Sequence, residues 1–181
     1  MIYHLKNCRN GKRARYYTTV EILENGSFLT FRFVARHSEY NCPYRTYNAP
    51  HYEGDACEIF IGSDPQRRIY YEIEITPFND LFLAKITYKG KDECENPILQ
   101  TDFVEESFVK SNVLLTDKGY TAELSFDKNK VLTGDGEMFF NTFRLETDGT
   151  ESEKHLFALN PTIENNFHVP DSFVVLKEYL S

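Results

Sequence analysis

The chain of 181 residues carries a formal net charge of −8. A chain of this length is expected to form one domain, residues 1–181, with a core large enough to fold without disulfide bonds. The acidic balance argues against a nucleic-acid partner, which needs a basic surface to neutralise phosphates, and no apolar run is long enough to span a membrane.

The first residues, 1–7, lack the apolar stretch of a secretory signal, so we expect a cytoplasmic location. The four cysteines are widely spaced without a CxxC pair, which favours reduced thiols and argues against a zinc knuckle. A zinc site between distant residues such as His51 and Cys57 stays open on sequence grounds.

Alternation of apolar and polar residues with a period of two dominates the chain and predicts β-strands. Residues 16–24 and 28–36 are predicted to form a hairpin, because Asn25-Gly26 between such runs is a strong turn signal. The next segment, 40–54, contains two prolines and four tyrosines. It is predicted to be a functional loop, since disordered segments are poor in aromatics.

Many short strands follow, separated by turns. They are predicted at residues 56–61, 69–75, 81–88, 103–109, 113–116, 120–126, 138–146, 155–159 and 173–177. A polar loop is predicted at 90–97, and a short helical turn capped by Asp127 at 127–132. This pattern is typical of an all-β sandwich or barrel.

Known catalytic motifs are absent, but carboxylates are plentiful, at 28. Glu72 and Glu74 share one face of a predicted strand, and Glu58 lies on the neighbouring strand. The pattern alone favours a solvated face. The alternative is a binding surface, because Glu58, Tyr70 and Glu72, together with the tyrosine-rich loop, offer a sugar both flat apolar surface and polar groups.

Two parts of the chain resemble the family 9 carbohydrate-binding modules and their DOMON-like relatives. The first is Asp-Ala-Cys-Glu-Ile-Phe-Ile at 55–61 with Ile-Tyr-Tyr-Glu-Ile-Glu-Ile at 69–75. The second is Leu-Asn-Pro at 159–161 with Asn-Phe-His-Val-Pro-Asp-Ser-Phe at 166–173. The resemblance implies a two-sheet antiparallel β-sandwich, immunoglobulin- or jelly-roll-like, with at most one short helix and a ligand site near one sheet face.

The resemblance also implies roles for individual residues. Tyr52 corresponds to the aromatic that stacks on the sugar, and Glu58 to the carboxylate that bonds its hydroxyls. Phe167 is the candidate for a second stacking aromatic. Its polar neighbours in sequence are Asn160, Asn166 and His168. The modules use tryptophan for stacking, and this chain has none, which implies weaker binding or a different ligand.

The leading hypothesis is therefore a stand-alone sugar-binding module without catalytic residues or a cofactor. Calcium is the one metal that the resemblance suggests, at acidic turns that contain Asp64, Asp80 or Asp135. The sugar and the oligomeric state stay open.

Three alternatives remain. A glycosidase would use Glu58 with Glu72 or Glu74. A haem or redox domain would use Met138 with His155 or His168. A domain that has lost its ligand would serve only protein interactions.

Overall fold

The computed structural model describes residues 1–37, 39–147 and 154–180. These residues form two antiparallel sheets, so the predicted all-β sandwich is confirmed. The strands are β1 (Ile2–His4), β2 (Lys6–Asn7), β3 (Thr18–Asn25), β4 (Phe28–Arg36), β5 (Ala56–Gly62), β6 (Ile69–Ile75), β7 (Leu81–Lys91), β8 (Pro97–Phe103), β9 (Lys110–Thr116), β10 (Gly119–Asp127), β11 (Phe139–Glu146), β12 (His155–Ala158) and β13 (Val174–Val175).

The first sheet has the strand order β1-β3-β4-β10-β9. The second has the order β2-β12-β11-β5-β6-β7-β8, and β13 also pairs with β11. Four short 3-10 helices, His51–Glu53, Lys128–Val131, Pro170–Ser172 and Leu176–Glu178, connect or follow strands. Within the described ranges, none of these helices is long and apolar enough to cross a bilayer.

The main core lies between the two sheets. Period-two alternation turns Phe31, Phe33 and Leu124 of the first sheet toward Ile59 and Ile73 of the second. A second apolar cluster covers the outer face of the second sheet, where Phe60 and Phe143 pack against Phe167 and Phe173 from the C-terminal segment. The centre of the second sheet is therefore buried on both faces, and all seven residues of β5 are buried, whereas the edge strand β8 is largely exposed.

The predicted β3–β4 hairpin is confirmed. Asn25 pairs with Phe28 across the turn, so the loop consists of Gly26 and Ser27 alone. Gly26 has a φ of +63°, which glycine adopts at no steric cost, whereas Asn25 stays in the strand. The predicted Asp127 cap is confirmed as well, because Asp127 Oδ1 accepts a hydrogen bond of 3.0 Å from the Asn129 amide.

Two predicted strands are wrong. β8 ends at Phe103, where 103–109 was expected to begin a strand. The return strand of the β7–β8 hairpin lies earlier in the chain: β7 continues through a bulge at Tyr88/Gly90 to Lys91, the predicted loop is confirmed over residues 92–96, and β8 begins at Pro97. At the C-terminus only Val174–Val175 pairs with β11, and the chain then turns into a 3-10 helix. All four cysteines are free, as expected for reduced thiols.

A close backbone approach at Gly119 provides a test of this fold. Gly119 has a φ of +140°, and a Cβ there would lie 2.0 Å from the carbonyl oxygen of Ala35. We expect Gly119→Ala to lower the free energy of unfolding by about 3 kcal/mol, measured by urea denaturation. Gly26→Ala, with nothing within 4 Å of the added Cβ, should cost only about 1 kcal/mol. Equal losses would contradict the approach of β10 to β4.

Candidate ligand-binding site

A cavity of about 380 Å³ opens on the outer face of the second sheet. Its walls are largely apolar, and its polar groups come from β5, β6, β8 and the C-terminal segment. The lining residues are Tyr52, Glu58, Glu72, Phe82, Leu99, Thr101, Phe103, Leu145, Leu156, Asn166, Phe167 and His168. Such a volume, with apolar walls and few polar groups, is typical of small-molecule sites.

The structure brings six of the eight predicted site residues to this cavity. They are Tyr52, Glu58, Glu72, Asn166, Phe167 and His168. The other two, Tyr70 and Asn160, are not among the lining residues and occupy supporting positions described below. The six come from segments more than 100 residues apart in sequence, so it is the folding of the C-terminal segment over the sheet that assembles them.

The tyrosine-rich loop is held to the sheet by Asp55. Asp55 Oδ1 accepts hydrogen bonds of 2.7 Å from both the amide and the hydroxyl of Thr147, and Oδ2 accepts one of 2.8 Å from the Asn41 amide. This buried carboxylate thus fixes the start of the loop to the beginning of β5 and to the residue after β11. Tyr52, three residues before Asp55, is thereby positioned at the cavity rim.

Aromatic rings form much of the wall. Tyr52 remains 48% exposed and meets Phe82 edge to face, with ring centroids 6.1 Å apart. Phe82 meets Phe103 in the same manner at 5.7 Å. On the other side, Phe167 stacks on Phe143 at 4.4 Å with an interplanar angle of 21°. Tyr52 and Phe103, which is 58% exposed, are therefore the accessible aromatic faces for an incoming ring, whereas Phe167 is largely buried.

Three carboxylates lie together below these rings: Glu58 and Glu72 line the cavity, and the fully buried Glu74 lies beside them in the sheet. Glu58 and Glu74 are direct partners across β5 and β6, and Glu72 lies two residues along β6, so all three project from the same face. One carboxylate oxygen from each lies within 4.8 Å of the other two. All three side chains are buried. The solvated face that the sequence pattern favoured is therefore wrong.

Burial controls the protonation of this cluster. Removal from water raises the pKa of Glu72 to about 7. Removal from water, and then repulsion from neighbouring carboxylates, raises the pKa of Glu58 and of Glu74 well above the usual range for a glutamate. The exposed Lys154 opposes the shift of Glu58. Near neutral pH the cluster consequently carries protons that free glutamates would release.

The C-terminal segment contributes a neutral histidine. His168 stacks on Phe60 at a centroid distance of 4.9 Å, and its Nδ1 lies 2.8 Å from the Tyr70 hydroxyl. Burial lowers the pKa of His168 to about 4, so its imidazole is uncharged at neutral pH. Tyr70 is buried behind this ring and orients it, while Asn166 Oδ1 accepts a hydrogen bond of 2.8 Å from the His168 amide.

Asn160 anchors the C-terminal segment away from the cavity. Its amide donates to Asn141 Oδ1 at 3.1 Å, and its side-chain Nδ2 donates to the carbonyl of Ser172 at 2.8 Å. Asn141 in turn donates to the carbonyl of Asn160 at 2.8 Å. These bonds commit the Asn160 side chain to holding residues 160–172 against β11, and this differs from the predicted contact with a ligand.

Sequence reasoning missed the residues that β7, β8, β11 and β12 contribute. They are Phe82, Leu99, Thr101, Phe103, Leu145 and Leu156. A signal was available for β8, because Leu99, Thr101 and Phe103 alternate with Gln100 and Asp102 and so share one face. No strand was predicted between the loop at 90–97 and Phe103, so β8 was missed. No local signal identifies Leu145 and Leu156 as cavity residues, since apolar alternation is the same on either buried face.

The acidic turns predicted as calcium sites do not come together in the fold. Asp64 Oδ2 accepts from the Arg68 and Ile69 amides, and Asp80 Oδ2 from Arg45 Nε at 2.7 Å. Neither joins Asp135 in a group of potential ligands among the described residues, so calcium at these turns stays a prediction. The considered zinc pair fits poorly, because the Cys57 thiol lies in the inter-sheet core, 3.2 Å from the Tyr120 hydroxyl.

The iron ligands considered from sequence are separated by the fold. Met138 precedes β11 and His155 pairs with Glu146, the last residue of that strand. A strand of this length places the two roughly 25 Å apart. Met138 packs against the inter-sheet core, whereas His168 lies on the outer face of the second sheet. Neither pair can ligate one iron in this arrangement.

Comparison with known proteins identifies the architecture. No family model matches the chain, and no curated protein matches it. Among solved structures, a "putative carbohydrate-binding protein" from Bacteroides uniformis ATCC 8492 aligns with a TM-score of 0.69 at 13% identity, covering 96% of this chain and 84% of that one. A family 9 carbohydrate-binding module from Caldicellulosiruptor kristjanssonii, in complex with glucose, aligns with a TM-score of 0.58 at 16% identity, covering 95% of this chain and 82% of that one.

This chain has the family 9 carbohydrate-binding module fold. A cellotriose complex of a family 9 module from Caldicellulosiruptor kristjanssonii aligns with a TM-score of 0.53 at 16% identity, over 87% of this chain and 71% of that one. The resemblance inferred from residues 55–75 and 159–173 is confirmed at the level of fold.

The buried carboxylates of this family 9 fold predict a specific pH dependence. Because the pKa of Glu72 is raised from 4.5 to about 7, the folded state holds a proton that the unfolded state releases, and stability falls as pH rises through this window. We expect Glu72→Gln to match the wild type near pH 5 and to be more stable near pH 8, by on the order of 3 kcal/mol.

Urea denaturation across this pH range measures the difference. Glu123→Gln, on the exposed face of the first sheet, is the control and should show no such divergence. A wild type that gains stability relative to Glu72→Gln as pH rises would contradict the burial of an uncompensated carboxylate.

Proposed function

We propose that the protein is a non-catalytic sugar-binding module whose saccharide ligand occupies the cavity on the second sheet. One observation carries the proposal: carboxylates, an amide and a neutral imidazole converge in a cavity with aromatic walls. Sugars need this combination, because their C–H faces pack on rings while their hydroxyls form hydrogen bonds. The glucose and cellotriose in the complexes of the family 9 modules support the ligand class.

The proposed roles follow from exposure and hydrogen-bonding capacity. Tyr52 stacks on the sugar ring, because about half of its surface is open to the cavity mouth. Phe167 contributes apolar surface on the opposite wall. Glu58 and Glu72 bond hydroxyls from below, and Asn166 and His168 contribute neutral polar groups. Protonated carboxyls donate as well as accept, which suits hydroxyls that do both.

The position of the carboxylates argues against a glycosidase. Hydrolysis requires two carboxyl groups that flank the scissile bond. Glu58, Glu72 and Glu74 instead project from one sheet face and lie within 4.8 Å of one another, on the same side of any bound sugar. We therefore expect binding of oligosaccharides without turnover.

Calorimetric titration with glucose, xylose, cellobiose and xylobiose tests the stacking role. We expect Tyr52→Ala to weaken binding of the best ligand at least roughly tenfold, since an aromatic contact contributes about 1 kcal/mol or more beyond its buried area. Tyr17→Ala is a matched control, because Tyr17 is 45% exposed and lies at a different cavity. Equal effects of the two substitutions would contradict this placement of the site.

Glu58→Gln tests the role of the cavity carboxylates in the same calorimetric titration. The amide keeps the size of the carboxyl group but changes its hydrogen-bonding pattern, so we expect weaker sugar binding in a protein that still unfolds cooperatively. Chromatography of the oligosaccharides after incubation should recover them intact. Products released by the wild type and lost in Glu58→Gln would overturn the non-catalytic assignment. No binding to any sugar by a cooperatively folded protein would overturn the proposed function.

A further inference from the structure

Two of the three buried glutamates, Glu58 and Glu74, lack the partners that buried carboxylates normally have. Among the described residues, no donor reaches either oxygen of Glu74 or Oε1 of Glu58, and Glu74 is 0% exposed. Glu72 and Glu74 can bond to each other only when one of them is protonated. A buried acceptor without a donor is costly, so this unmet capacity points to a group that the protein itself does not supply.

Among the described residues, no lysine or arginine forms a salt bridge with these three carboxylates. No lysine or arginine is among the residues that line the cavity. Two other titratable groups face the cluster, and neither is positively charged at neutral pH. His168 is neutral, and a cysteine thiol such as Cys8, which lies near Glu58, cannot carry a positive charge. The exposed Lys154 directs its Nζ to the carbonyl oxygen of Tyr52 at 3.2 Å. In contrast, the buried Glu146 contacts both Arg144 and His37.

We propose that the cavity takes an amino sugar, and that Glu58, Glu72 and Glu74 bind its protonated amine. This inference rests on the proposed sugar-binding function and specifies the ligand class. An ammonium group has three donors, one for each carboxylate. Three oxygens that each accept from one ammonium at about 2.8 Å would lie about 4.6 Å apart, which fits the observed limit of 4.8 Å.

The walls favour an organic cation over a bare metal ion. Calcium takes six to eight oxygen ligands and magnesium keeps several waters, so both prefer strongly polar surroundings. Above the carboxylates the cavity is instead lined by Tyr52, Phe82, Phe103 and Phe167. Aromatic faces suit the apolar body of a sugar, and they also attract a nearby cation.

Matched titrations at neutral pH test the proposal: glucose against glucosamine, and galactose against galactosamine. We expect the amino sugar of at least one pair to bind roughly tenfold or more tightly than its neutral counterpart, because a charge-assisted hydrogen bond is about twice as strong as a neutral one. N-acetylglucosamine has the same ring without the charge and should lose this advantage.

Proton release provides a second readout. Because the cluster holds protons near neutral pH, an incoming ammonium ionises one of the carboxyls, and titrations in buffers of different ionisation enthalpy should detect the released proton for the amino sugar alone. Glu74→Gln should weaken binding of glucosamine more than that of glucose. Glu123→Gln is the matched control: Glu123 is partly exposed on the first sheet, where it pairs with Arg32, and the substitution should change neither affinity.

The outcomes separate the two proposals. Equal affinity for the neutral and amino sugars would overturn the amine site while leaving the sugar-binding function intact. No detectable binding of any of these sugars, or of the neutral sugars tested above, would overturn both the amine site and the sugar-binding function. A metal site would overturn the amine proposal too: calcium, magnesium or manganese would then raise the thermal midpoint of protein treated with chelator, and Glu74→Gln would abolish that effect.

Discussion

Both faces are buried at the centre of the second sheet, and on one of them three carboxylates share a space of a few ångströms. Moving a carboxylate out of water costs several kcal/mol unless a cation or donors replace the lost hydration. The packing of the C-terminal segment over the sheet imposes this cost, because it closes the face on which Glu58, Glu72 and Glu74 lie. The same packing brings Phe167 and His168 to the cavity. The packing of the C-terminal segment therefore both forms the cavity and imposes the energetic cost of burying the carboxylates.

Elsewhere in the sandwich, buried charged side chains have hydrogen-bond or salt-bridge partners. Arg144 lies fully buried between the sheets, where it donates to the Thr18 hydroxyl at 2.9 Å and to the carbonyl of Arg36 at 3.2 Å, and it pairs with Glu146. Asp55 accepts three hydrogen bonds. These groups link the two sheets and the tyrosine-rich loop, so their charges serve the architecture. The glutamate cluster makes no such link, and this contrast is the reason to assign it to a ligand.

The predictable part of the structure is the part governed by local pattern. Alternation and the Asn25-Gly26 signal predicted the β3–β4 hairpin, and the same periodicity placed Glu72 and Glu74 on one face of β6. The burial of that face depends on residues about 90 positions later in the chain. An alternating strand looks the same whether water or a remote segment covers its polar side, so the pattern favoured the wrong environment for the right residues.

Long-range packing also explains why two of the predicted site residues do not line the cavity. Asn160 was grouped with Asn166 and His168 because they are near in sequence, yet its hydrogen bonds to Asn141 and Ser172 turn it toward β11. Tyr70 shares a strand face with Glu72, but its ring packs beside Phe60 and its hydroxyl contacts His168. Proximity in sequence identified the segments that build the site, whereas competition among neighbouring polar groups decided which side chains reach the cavity.

The absence of tryptophan acquires a physical meaning in this setting. The inward faces of both sheets must fill a common core, which preserves the fold even at 13–16% identity to solved structures. The cavity lies on the outer face, where packing constrains side chains less, so the ligand chemistry can change while the sandwich remains. The open rings at the cavity are Tyr52 and Phe103, both smaller than the indole of tryptophan, so stacking supplies less of the affinity. Selectivity then depends more on the buried carboxylates, whose unmet hydrogen-bonding capacity distinguishes a charged ligand from a neutral one.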